Sequence, residues 1–128
     1  MSNEHHFDRV FETIDEETKE KYIQITFSLK KQFRKKPDLN AVLFLIGMRE
    51  LGALREFTKE EKMDLMHIAT CKILSYSGYY QLTALDQDGW PQWELQKPLP
   101  AYDLFSQEIF LKKHIVRYFE EEQIPINP

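Results

Sequence analysis

His67 and Cys71 lie four residues apart in a segment of helical periodicity. That spacing puts both side chains on one helix face, where an imidazole nitrogen and a thiolate can bind one metal ion. His114, in the last predicted helix, is the candidate third ligand. A structural zinc site needs a closed tetrahedral shell and a catalytic one three protein ligands, yet the chain has no CxxC or HExxH motif to complete either. The apolar residues around Cys71 favour a buried thiol that fills the core. His5 and His6 are adjacent near the N-terminus, where solvent exposure is the plainer reading. The expectation is no metal site and no cofactor, with a metal-dependent enzyme using His67 and Cys71 as a minor alternative.

Asp86-x-Asp88-Gly89 has the start of a calcium loop. If Gly89 takes the sixth loop position, however, the first ligand falls on Ala84 and the closing one on Leu95, neither of which can coordinate. A hairpin turn explains the same residues. Lys30, Lys31, Arg34, Lys35 and Lys36 form the basic cluster, with Phe33 among them, and can hold an anion or nucleic acid. Cations in the last turn of a helix also complement its negative end, and that plainer reading is preferred. No Gly-rich phosphate loop accompanies them. Tyr79, Tyr80, Trp90, Trp93 and Tyr102 make the densest aromatic grouping. They suit either a binding surface or a hairpin lying on a helical core, and on a regular strand Trp90 and Trp93 face opposite ways. No Ser-His-acid or paired-carboxylate pattern is distinctive enough to assign catalysis.

The elements that must position these residues are mostly helices. Residues 38–55 place apolar side chains on every side of a helix capped by Asp38 or Asn40, so this helix is expected to be central, with neighbours on several faces. Gly47 and Gly52 within it suggest close approach of another backbone, from this chain or a second copy. Before it, Ile23, Ile25, Phe27 and Leu29 alternate as in a strand, whereas Tyr22, Ile25, Leu29 and Phe33 fit a helix face. The Lys- and Glu-rich flanks and the absence of a turn signal before Pro37 favour a helix over about 15–34, with a strand as the alternative. A short helix is expected over Phe7–Ile14, and Thr13 with Glu16 forms a capping box. Thr58 and Glu61 form a second box, opening a helix that runs to a stop at Gly78. From Tyr79, Tyr80, Leu82 and Ala84 alternate with Gln81, Thr83 and Leu85. Asp88-Gly89 then turns the chain into a second strand, which Pro91 marks as an edge or as irregular near its start. A helix capped by Asp103 follows, expected to bury Leu104, Phe105, Ile109, Ile115, Val116 and Phe119 and to end in the Glu120–Glu122 run.

With 128 residues, 42% hydrophobic and 30% charged, the chain has the composition of one globular domain spanning 1–128. A net charge of -4 argues against wholesale attraction to nucleic acid. The lone cysteine precludes an intrachain disulfide and, with an acidic N-terminus unlike a secretory signal, points to the cytoplasm. No apolar run approaches a membrane span.

The segments Lys36-Pro37-Asp38-Leu39, Phe44-Leu45-Ile46-Gly47, Asp64-Leu65-Met66-His67-Ile68-Ala69, Gly78-Tyr79-Tyr80 and Asp88-Gly89-Trp90-Pro91 resemble those of a family of small uncharacterised bacterial proteins. The resemblance covers most of the chain. It implies a bacterial origin and assigns no activity, cofactor or site residue.

The expected fold is mainly α, a compact bundle of four to five helices around the central apolar helix (38–55), with one β-hairpin (about 79–96) before the last helix. The leading functional expectation is a non-catalytic cytoplasmic protein–protein interaction module, with a homodimer as one form. Anion or nucleic-acid binding through residues 30–36 is the alternative.

Overall fold

A computed structural model describes residues 14–126. Most of the helix expected over Phe7–Ile14, and Thr13 of the first capping box, lie outside the described residues. Among the described residues there are four helices and one antiparallel hairpin: α1 (Glu16–Phe33), α2 (Leu39–Leu51), α3 (Lys59–Ser75), β1 (Tyr80–Leu85), β2 (Pro91–Leu95) and α4 (Leu104–Glu121). The chain divides into two compact units. The described residues of Met1–Lys36 and Leu99–Pro128 form one, and Pro37–Pro98 forms the other. The second unit is thus a continuous insertion between α1 and α4, and prolines stand at both of its ends.

In the first unit α1 packs on α4. The ambiguous segment is helical, and its strand-like alternation is split accordingly. Tyr22 and Ile25 are buried, whereas Ile23 and Phe27 are 45% and 58% exposed. Asp15 caps α1 by accepting from the Thr18 N–H at 2.7 Å. The helix ends with Arg34 in the left-handed region (φ 62°), a position glycine normally takes. On α4, Asp103 caps by accepting from the Ser106 N–H at 2.7 Å. Ile109, Phe110, Ile115, Val116, Tyr118 and Phe119 are buried. Leu104 and Phe105 were expected to be buried but are 85% and 70% exposed. In this half of the helix the buried stripe is Ser106, Ile109 and Phe110; Leu104 lies opposite it, and Phe105, one turn before Ile109, lies beside it at the exposed start of the helix.

In the second unit α2 and α3 form a helical pair, and the hairpin packs on α3. Asp38, rather than Asn40, caps α2, accepting from the Ala41 N–H at 2.8 Å. The helix stops at Leu51, short of the expected residue 55, because Gly52 adopts φ 76° and closes it with a hydrogen bond to the Met48 carbonyl. Gly47 is where the backbones meet: a Cβ there would fall on the Leu65 carbonyl oxygen and 2.7 Å from its carbon. The close approach inferred for Gly47 is therefore to another helix of the same chain, while Gly52 is a terminator with open space around it.

The Thr58–Glu61 box forms as expected. Thr58 Oγ1 accepts from the Glu61 N–H at 3.1 Å, and Glu61 Oε1 accepts from the Thr58 N–H at 2.9 Å. Arg55 adds a two-point pair to Glu61 at 2.8 and 3.3 Å. This pair and the box hold the Glu61 carboxyl at about 2. The end of α3 is sealed by the Tyr79 N–H donating to the Leu74 carbonyl, with Gly78 at φ 80° between them. No helix among the described residues is long and apolar enough to cross a membrane.

Candidate binding concavity beside the hairpin

The hairpin register pairs Tyr80 with Leu95, Leu82 with Trp93, Ala84 with Gln92 and Leu85 with Pro91, leaving Thr83 as an extra residue in β1. Such a bulge reverses the parity of everything after it. Leu85, not Ala84, therefore shares a face with Leu82, and the strict alternation expected from the sequence fails at that residue. One face carries Tyr80, Leu82, Leu85, Pro91, Trp93 and Leu95. Leu82, Leu85 and Leu95 on it are 47%, 63% and 50% exposed.

The turn is built around Asp86. Its Oδ1 accepts from the Asp88 N–H at 2.9 Å and from the Trp90 N–H at 2.8 Å, while its carbonyl accepts from Gly89 at 3.0 Å. Gly89 has φ 85°, as a three-residue turn closing in a left-handed residue requires. Asp86 and Asp88 thus serve a turn, as the sequence suggested.

Between this turn and α3 lies a concavity of about 310 Å³ lined by Asp64, His67, Ile68, Asp86, Trp90, Pro91, Gln92 and Trp93. Asp64, His67 and Ile68 are spaced i, i+3, i+4 and so share one face of α3. Trp90 precedes β2 instead of belonging to it, so the opposed orientation expected for Trp90 and Trp93 is replaced by two indoles lining one hollow. Trp93 Nε1 is buried without a hydrogen-bond partner among the described residues. Asp64 has no ion pair among them, and neither does the second oxygen of Asp86. No Lys or Arg lines the concavity, so its charge is acidic.

His67 lines the concavity, with its ring edge-on to Tyr80 at 6.4 Å and its Nε2 3.5 Å from Cys71 Sγ. Cys71 itself is fully buried, and burial pushes its thiol up to about 11, which keeps it protonated and a poor ligand at neutral pH. Burial also raises the Tyr80 phenol. His114 is buried in the other unit, its Nδ1 2.7 Å from the Phe110 carbonyl oxygen. Among the described residues no group of three His, Cys, Asp or Glu side chains is arranged to hold a metal ion.

The aromatic grouping is only partly brought together. Tyr80, Trp90 and Trp93 sit at or beside the concavity, Tyr79 carries Lys97 Nζ over its ring at 4.4 Å, and Tyr102 belongs to the other unit, against Phe110 at 5.3 Å. Lys30 and Lys31 occupy the last turn of α1, Arg34 is its cap, and Lys35 and Lys36 lead to Pro37, all exposed. Sequence reasoning missed Asp64 and Gln92 as wall residues. The spacing of Asp64 one turn before His67 was the available signal.

No protein-family model matches the chain, and no curated protein or solved structure is significantly similar to it.

Proposed function

We propose that the chain is a non-catalytic protein-interaction module that engages its partner through the apolar face of the hairpin. The carrying observation is the exposed leucine row Leu82, Leu85 and Leu95, apolar area that a soluble surface seldom leaves uncovered without a use. Both strand edges are blunted, β1 by its bulge and β2 by Pro91, which lacks a donor. Contact by the face is therefore favoured over strand addition. A second copy is the simplest partner, and the lone buried thiol suits a cytoplasmic setting.

Light scattering on the eluting full chain, with and without Leu82→Asp plus Leu95→Asp, tests this reading. A dimer reduced to monomer by the two substitutions supports self-association. If the wild-type chain is a monomer, peptides selected on it from a random display library are retested on the doubly substituted chain. Loss of binding supports the face as the contact surface, and undiminished binding refutes it.

A second reading, an anion site at residues 30–36, is favoured by one observation: Lys30, Lys31, Arg34, Lys35 and Lys36 are exposed, and none has an ion pair among the described residues. It requires retention on a polyanion column that falls steeply with salt. Salt-insensitive retention removes it.

A further inference from the structure

We infer that the concavity between α3 and the hairpin turn is a binding site for an organic cation, an alkylammonium or guanidinium group held against Trp90 and Trp93 and neutralised by Asp64 and Asp86. Three features of its wall select this chemistry. Two tryptophans line the concavity, and indole is the strongest of the side-chain π-systems for attracting a cation. The two carboxylates add a full charge each and are uncompensated: no Lys or Arg lines the hollow, Asp64 has no ion pair, and only one oxygen of Asp86 is engaged, by turn N–H groups. Among the described residues the carboxylates and His67 are not arranged to hold a metal ion, so the aromatic and acidic wall suits an organic cation better than a metal ion.

The same features disfavour other ligands. An anion would meet two carboxylates with no cationic side chain opposite, and a wholly apolar ligand would have to desolvate both acids without return. The volume of about 310 Å³ suits one small head group with a short stem. The turn also pre-organises the site, because the Asp88 and Trp90 N–H groups donate to Asp86 Oδ1 and so fix the orientation of its carboxylate. A bound cation therefore need not order that side chain, a cost that usually erodes affinity.

The chain contains only two tryptophans, so a two-dimensional N–H spectrum of the nitrogen-labelled full chain gives one indole signal for each. At low ionic strength the chain is titrated with choline, with the neutral carbon isostere of choline, and with short blocked peptides bearing a central Lys or Arg. Both indole signals are expected to move saturably with the cations, and the isostere is expected to bind at least about tenfold more weakly. Asp64→Asn combined with Asp86→Asn is expected to weaken cation binding about tenfold as well; Asn at position 86 keeps the oxygen that accepts the turn N–H groups, so the fold is retained. Peptides that bind at least about tenfold more tightly than choline identify a protein side chain as the natural occupant, and equal affinity identifies a free amine. Either result supports the site. Indole signals unmoved by every cation, equal shifts with the isostere, or undiminished binding by the doubly substituted chain would overturn it. None of these outcomes depends on the leucine row, so this inference and the interaction reading stand or fall separately.

Discussion

Replacing Gly47 by Ala places one methyl group where α2 and α3 touch, and the sign of its effect follows from two opposed quantities. In an isolated helix the change is favourable by about 1 kcal/mol, since glycine is the poorer helix former. Here the new Cβ would fall on the Leu65 carbonyl oxygen, 2.7 Å from the carbonyl carbon and 2.9 Å from the Leu65 Cβ. Overpacking costs about 1–3 kcal/mol, and the upper end applies because a helical carbonyl cannot rotate away as a flexible side-chain tip can. The net expectation is a loss of about 2 kcal/mol. With a urea dependence of about 1.5 kcal/mol per molar, the unfolding midpoint falls by about 1 M. Leu65→Ala should not rescue it, because the obstruction is backbone. Gly52→Ala is the companion measurement: space there is open but φ is 76°, so a loss of about 1 kcal/mol is expected from backbone strain, and less with Asn. A Gly47→Ala chain at least as stable as wild type would mean that α2 and α3 are not in backbone contact, and the pairing of these helices would have to be redrawn.

The Glu61 carboxyl is held at about 2, against an ordinary value near 4.5, chiefly by the Arg55 hydrogen bonds and then by the Thr58 N–H. A depressed carboxyl contributes stability above its unfolded value and loses that contribution as pH falls toward the folded one. Glu61→Gln should therefore flatten the fall in urea midpoint between about pH 4.5 and 2, and an unchanged slope would refute the assignment. Cys71, buried with its thiol raised to about 11, should be silent to a thiol-specific reagent in the native chain at about pH 8 and react once the chain is unfolded. Rapid native labelling would place it outside the core. Arg34 sits at φ 62°, where glycine is unstrained, so Arg34→Gly should raise stability by up to about 1 kcal/mol while weakening retention on a polyanion column. A destabilised variant would show that Arg34 makes contacts worth more than its backbone strain.

What the sequence by itself determined is local. Caps at Thr58 and Asp103, the stop at Gly78 and the turn at Asp88-Gly89 were legible because each depends on hydrogen bonds and φ angles within a few residues, and the cap before residue 41 was narrowed to Asp38 or Asn40. For residues 22–30 flanking propensity and the distance to Pro37 favoured a helix but left a strand open, because both periodicities fit, and packing against α4 decided it. The expected centrality of the apolar helix turned on which elements surround it, and local patterning does not contain that information. Gly47 and Gly52 look alike in sequence, yet one lies against Leu65 and the other ends a helix, a distinction made only by the neighbouring backbone. Leu104 and Phe105 read as core and are exposed, because periodicity defines a stripe but not where along a helix its partner lies. The bulge at Thr83 is invisible in a period-two pattern, yet it decides that Leu85 joins Leu82 on one face. The concavity is the clearest case. Asp64 and His67 come from a helix, Asp86 and Trp90 from a turn and Trp93 from a strand, so their convergence depends on long-range packing.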